Sequence, residues 1–185
     1  MKKINQLLFI ALGVSAISLT SCKKEEPETV DSKIGGCLDP DSPLYNANAD
    51  FEDQSCLYAY VSAYEITFHP EEDGGSDWDF LTNTDADLIL RIKEEGATNW
   101  LFESAEISNQ AHNVPAVWTA PINVKLLNQN YEWELVDYDA TSSDDLVATG
   151  TFNPIDLAND GEIIASGTNP NGGQSQLRIT YNLDE

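Results

Sequence analysis

Beyond residue 57 the chain alternates apolar and polar side chains with a period of two, the spacing that puts every second residue on one face of a β-strand. Tyr64, Ile66 and Phe68 share a face of a first strand; Leu88, Leu90 and Ile92 share a face of a second, with Arg91 and Lys93 turned outward. The same reading predicts strands at Trp100–Glu103, Ile122–Leu127, Tyr131–Tyr138, Leu146–Phe152, Glu162–Ala165 and Leu177–Leu183. In the fifth of these eight, Tyr131, Trp133 and Leu135 alternate with Glu132 and Glu134. In the last, Leu177, Ile179, Tyr181 and Leu183 alternate with Arg178, Thr180 and Asn182. One wet face per strand marks an antiparallel sandwich. The expected fold is all-β, an eight-stranded antiparallel β-sandwich over residues 58–185, without a helix of useful length or an internal repeat.

The pattern is different at the start of the chain. Lys2 and Lys3 precede an apolar run from Leu7 to Ile17, shorter than the roughly 20 residues that span a bilayer, so residues 1–21 read as a signal peptide. The run closes on Leu19-Thr20-Ser21-Cys22, which resembles the bacterial lipoprotein box. That resemblance implies cleavage before Cys22 and lipid on its thiol, with palmitate among the acyl chains. Residues 22–34 are charged, contain Pro27 and lack periodicity, as a flexible acidic tether would. Lys23-Lys24-Glu25-Glu26 resembles the charged signals of Bacteroidetes surface lipoproteins. The implied location is the bacterial outer membrane, with the domain displayed at the cell surface; the periplasmic face is the other orientation.

Charge narrows the partners. The chain carries 32 acidic residues against 9 basic ones, a formal balance of −23. Losing Lys2 and Lys3 with the signal peptide leaves 7 basic residues against the same 32 acids. Such a chain cannot neutralise a run of phosphates, which excludes nucleic acid as a partner. Its membrane contact is expected through the lipid on Cys22.

With Cys22 committed to lipid, Cys37 and Cys56 remain in an exported chain and are expected to pair. The stretch between them has Gly36-Cys37-Leu38-Asp39-Pro40, then Tyr45-Asn46, then Asp53-Gln54-Ser55-Cys56. It resembles a short module frequent in exported Bacteroidetes proteins. Residues 35–57 are too few to bury much apolar area, so a crosslink contributing about 3 kcal/mol would be the main constraint on them. Asn46-x-Asn48-x-Asp50 lacks the glycine an EF-hand loop needs next, so this segment reads as a spacer.

Acidic residues concentrate in two loops. One, between the first two strands, holds Asp73, Asp77, Asp79, Asp85 and Asp87; the other, Asp137 to Asp145, separates the fifth and sixth strands. Crowded carboxylates repel unless a cation neutralises them. A hard divalent ion with oxygen ligands suits this set, and calcium is the fitting one because no Cys or His cluster would draw zinc.

The pattern Asp137-x-Asp139-x-x-Ser142-x-x-Asp145, followed by Leu146 and Val147, resembles the third calcium loop of the C-two domain, the calcium-dependent membrane-binding sandwich of synaptotagmins and protein kinase C. Asp87-Leu88-Ile89-Leu90-Arg91-Ile92 is similar to that family's first-loop strand, with Asp79 as the upstream partner; Asp85 and Asp87 are both candidates for the second acid. Asn113-Val114-Pro115-Ala116-Val117-Trp118 resembles its Asn-Pro-x-Trp turn, with Trp118 in the core. The resemblance implies calcium loops gathered at one end of the sandwich. Asp79, Asp85 or Asp87, Asp137 and Asp139 would bridge one or two ions, and Asp145 with a backbone carbonyl would complete the shell. It also implies the circularly permuted, type II connectivity, because a strand follows Gly172-Gly173. Calcium would then permit contact with phospholipid, lipopolysaccharide or a protein partner, with Phe80 and Leu81 at a loop tip.

Two rival readings use other residues. A carbohydrate-binding sandwich with structural calcium would need exposed aromatics, for which Trp78 and Trp100 are candidates, Trp118 and Trp133 falling on core positions. An enzyme would need a cleft or an activated nucleophile; His69 and His112 stand far apart in sequence with no Ser or Cys motif beside them, so the expectation is a noncatalytic module.

Overall fold

The computed structural model describes residues 32–79, 85–120, 124–141 and 143–185. The signal peptide, Cys22, most of the tether, Phe80, Leu81 and Ser142 lie outside the described residues. Two short parallel strands come first, β1 (Gly35–Gly36) and β2 (Phe51–Glu52). The long strands are β3 (Tyr58–Phe68) and β4 (Ala86–Glu94). Four short ones follow: β5 (Phe102–Glu103), β6 (Ile107–Gln110), β7 (Ala116–Thr119) and β8 (Lys125–Leu126). Next are β9 (Tyr131–Asp137) and β10 (Asp145–Phe152). A single-turn helix α1 (Pro154–Leu157) leads to β11 (Ala158–Asn159), β12 (Glu162–Thr168) and β13 (Gln174–Asp184).

Pairing from β3 onward is antiparallel throughout, in the order β5-β4-β9-β10-β12-β13-β3-β7, with β6 on β4 and β8 on β3. The path bends where β10 meets β12, since these strands share a single register pair, Thr149 with Thr168. One layer is thus β4, β9 and β10 with β5 and β6; the other is β12, β13 and β3 with β7, β8 and β11. This is the all-β antiparallel sandwich expected from the alternation. The last strand, after Gly172-Gly173, lies between β12 and β3.

Alternation fills the core as predicted. Leu88, Leu90 and Ile92 face inward from β4 opposite Asp137, Leu135 and Trp133 of β9. Across the core, Ile163 and Ala165 line up with Ile179 and Leu177, which in turn meet Tyr64 and Ile66. Tyr64 stacks on Phe102 with ring centroids 4.3 Å apart. The outward side chains pair on the surface: Arg91 with Glu103 and Asp144, Lys93 with Glu132, Arg178 with Glu65. Burying a large side chain contributes roughly 1.5–3 kcal/mol, whereas ion pairs at the surface contribute about 1 kcal/mol at most. The inner faces therefore set the register.

Some elements differ from expectation. The strand predicted at Trp100–Glu103 is confined to Phe102–Glu103. Within Ile122–Leu127, the described strand covers Lys125–Leu126. β6 has no counterpart in the alternation because Ile-Ser-Asn-Gln offers one apolar side chain. β7 replaces the expected turn at Asn113–Trp118: Ala116 and Trp118 point inward while Val117 and Thr119 are exposed. Phe68 lies at the end of β3 and is exposed.

Cys37 and Cys56 are joined, with their Cα atoms 4.7 Å apart. The clipped segment also bonds to the sandwich: Ser42 Oγ donates to the Leu57 carbonyl at 2.6 Å, the Tyr58 hydroxyl donates to Asp39 at 2.6 Å, and the Asn128 amide donates to Asp41 at 3.0 Å. Its polar side chains bond to backbone amides of the same segment. Asp50 accepts from the Ile34 amide and Asn46 from the Asn48 amide.

Where the layers meet, glycine lets Trp133 lie flush against the backbone. A Cβ at Gly150 would stand 2.4 Å from the Ser166 carbonyl and 2.6 Å from Trp133 Nε1; one at Gly167 would stand 2.4 Å from the Trp133 ring. Gly150→Ala is therefore expected to destabilise the fold by about 3 kcal/mol in urea titration. The exposed neighbour substitution Thr151→Ala should cost less than about 1 kcal/mol. Equal costs would contradict this packing.

Candidate metal centre

Strand ends bring the two acidic loops together. β4 begins and β9 ends at the same edge, with Leu88 opposite Asp137. β10 starts there too, with Asp145 opposite Asp137. The loops 69–85 and 138–144 therefore leave the sandwich at one end, joined by loop 169–173. Asn171 Nδ2 in that third loop donates to Asp73 Oδ1 at 2.6 Å. Asn169 Nδ2 donates to the carbonyls of Leu146 and Val147.

Asp137 is the unusual member. The period that turns Tyr131, Trp133 and Leu135 inward also turns Asp137 inward, and its relative exposure is 1%. Oδ1 accepts the Asp87 amide at 2.6 Å. Oδ2 is buried with no hydrogen-bond partner among the described residues. Burial pushes this carboxyl up from 3.8 to about 6; the Asp87 amide opposes that rise, and the charges of Asp79, Asp139 and Asp87 add to it. A buried acceptor left unpaired costs about 1–3 kcal/mol or more when charged.

Asp79 is raised as well, first by burial and then by Asp87 and Asp139. Asp87 is held on two sides: its Oδ1 accepts the Asn109 amide at 2.7 Å, and its carbonyl accepts the Tyr138 amide at 2.8 Å. Four of the six predicted acids, Asp79, Asp87, Asp137 and Asp139, thus stand within one another's field. Asp145 faces Asp137 across the β9–β10 ladder and is exposed. Asp85 acts on His69 instead. His69 is buried and its imidazole is held below its ordinary pKa, mainly by desolvation; the carbonyls of Pro70 and Gln110 oppose this, as does Asp85, and His112 reinforces it. Between the two first-loop candidates, Asp87 is the one beside Asp137.

Among the described residues, the one set of three potential ligand atoms within 4.8 Å of one another is Cys37, Glu52 and Cys56, and its sulfurs are already bonded. Among the described residues, no three loop carboxylates converge that closely; like-charge repulsion opposes it. The donors of Asp79, Asp87, Asp137 and Asp139 are all oxygens, and one of them is a buried carboxylate oxygen lacking a partner among the described residues. That donor set fits a hard divalent cation.

Other side chains take different roles from those predicted. Trp78 is 7% exposed, and its Nε1 donates to the Pro70 carbonyl at 3.1 Å. It is a core residue, which removes it from the aromatic platform a sugar-binding reading needs. Trp100 carries Lys93 over its ring at 5.0 Å. Asp144, inside the second acidic loop, pairs with Arg91 Nη2 at 2.9 Å. The sequence reading missed Asn109, because a backbone amide leaves no mark on a residue pattern.

No protein-family model matches the chain, and no curated protein matches it in sequence. Solved structures similar to it include a C-two domain, with 16% identity and a TM-score of 0.43, covering 68% of this chain and 98% of that one. Another is a C-two domain of plant extended synaptotagmin 1, with 10% identity and a TM-score of 0.39 over 68% of this chain and 98% of that one. A third is the calcium-bound tandem pair of C-two domains of extended synaptotagmin 2, with 18% identity and a TM-score of 0.37 over 67% of this chain and 46% of that one. All three scores fall below 0.5, and the description of the sandwich rests on its own strand pairing.

The raised Asp137 carboxyl has a pH signature in chelator. Between about pH 4 and pH 6 the folded chain keeps a proton on Asp137 that the unfolded chain has released, so this group's contribution to stability falls as pH rises. The expected loss is up to roughly 3 kcal/mol across that window, levelling off above it. Urea titrations at pH 4, 5, 6 and 7 should show this slope in the native chain and a flatter one in Asp137→Asn. Identical slopes would place the titration elsewhere.

Proposed function

We propose that this chain is a lipid-anchored, noncatalytic calcium-binding module of the C-two type, held on the bacterial outer membrane by acylated Cys22 and displayed at the cell surface. The observation that carries the calcium reading is the buried, unpartnered Oδ2 of Asp137, set among Asp79, Asp87 and Asp139 at one end of the sandwich. A carboxylate there is destabilising by itself and stabilising once it coordinates a cation. Asp79, Asp87, Asp137 and Asp139 would supply the central ligands, with Asp145 at the rim. An extracellular site of this kind binds with a dissociation constant of roughly 10⁻⁴ to 10⁻³ M.

Calcium at this end would bring the strongly negative local field, which repels anions, to near neutral. The module would then contact phosphate groups of lipid or lipopolysaccharide through the ion. The basic side chains of the sandwich do not offer a second route. Arg91, Lys93 and Arg178 are paired with acids, and Lys125 lies over the Tyr58 ring. That arrangement argues for recognition through calcium and against a basic inositol-lipid groove.

Thermal melts of the native chain in calcium and in chelator test this reading. At one hundred times the dissociation constant, calcium should stabilise the fold by about 2.7 kcal/mol. The double substitution Asp137→Asn, Asp139→Asn should abolish the shift. A native chain whose melting temperature ignores calcium defeats the proposal, and an undiminished shift in the double variant moves the site elsewhere.

A further inference from the structure

We infer that Asn109 is a positioning residue for this site, and that the bulge it makes in β6 sets the Asp87 and Asp137 carboxylates in place before an ion arrives. The inference rests on the calcium reading above. In the β4–β6 pairing, Ala86 lies opposite Gln110 and Leu88 opposite Ile107. One residue, Asp87, therefore faces two, Ser108 and Asn109, which is a β-bulge. Asn109 takes the extra turn with a φ of 53°, a left-handed conformation that Asn and Gly tolerate and β-branched residues resist.

That turn aims the Asn109 amide at Asp87 Oδ1, 2.7 Å away. The Asp87 amide donates in turn to Asp137 Oδ1 at 2.6 Å, and the Tyr138 amide closes the set on the Asp87 carbonyl at 2.8 Å. Three bonds donated by backbone amides, two to carboxylates and one to a carbonyl, thus run from β6 through β4 to the end of β9. Each of the two carboxylates is fixed by its Oδ1, and Asp137 is left with Oδ2 unpartnered. Amide donors favour the ionised form of a carboxylate, which opposes the effect of burial. Fixing two like-charged ligands in advance also removes the ordering cost that ion binding would otherwise carry. Asn109 acts through Asp87.

Calorimetric titration of calcium chloride into metal-free protein compares the native chain with Asn109→Val and Asn109→Gly. Valine should weaken calcium binding by about tenfold or more, and glycine, which accepts the same φ, should restore near-native affinity. Native-state amide exchange on the metal-free chain provides the second measurement, independent of whether the valine variant folds. The Asn109 and Asp87 amides should already be protected without calcium. Unchanged affinity in a folded valine variant, or free exchange at those two amides, overturns the inference. Absence of calcium binding by the native chain overturns the calcium reading itself, and that result appears before any substitution is made.

Discussion

A carboxylate stands where the strand pattern calls for a hydrocarbon. Asp137 continues the inward-facing row of Tyr131, Trp133 and Leu135, so the regularity that builds the core also drags a charge to its edge. The sandwich cannot turn this side chain outward without shifting β9 by one residue, which would expose Trp133 and Leu135. The cost of keeping it inside is met in part by the Asp87 amide. The organisation of the acidic end follows from that conflict: neighbouring loops contribute donors and further acids around a group that packing holds in place.

The rest of the molecule keeps this end rigid. The layers are joined at one rung between Thr149 and Thr168, and Trp133 rests against Gly150 and Gly167 beside it. Because Trp133 and Asp137 lie on the same strand face, close packing at the rung fixes β9 and hence the position of the buried acid. Salt bridges on the outer face add little energy but occupy the few cations available. Arg91 pairs with Asp144 and is not available to the remaining acids of that end.

The alternation of residues made the long strands and their faces legible, and the resemblance to the C-two domain implied that the two acidic loops meet at one end. The cysteine count gave the Cys37–Cys56 pairing, since few thiols compete. Three features escaped for distinct reasons. β6 is held by the edge of β4, with Ile107 as its one apolar side chain, so tertiary pairing decides it. Trp78 follows a Gly-Gly-Ser-Asp turn that reads as exposed, yet its indole folds back to the Pro70 carbonyl. Asp85 and Asp87 could not be separated by spacing because both lie within reach of Asp79 along the chain; the register of β4 against β9 separates them, placing Asp87 beside Asp137.

β3 spans the whole sandwich. Its first residue, Tyr58, bonds to the disulfide-clipped segment, and its last, Phe68, opens the acidic loops. At about 3.3 Å per residue, these 11 residues separate the two ends by about 35 Å. Tension applied between those ends would run along β3 and load its ladder with β13 in shear, sharing the force over many hydrogen bonds at once.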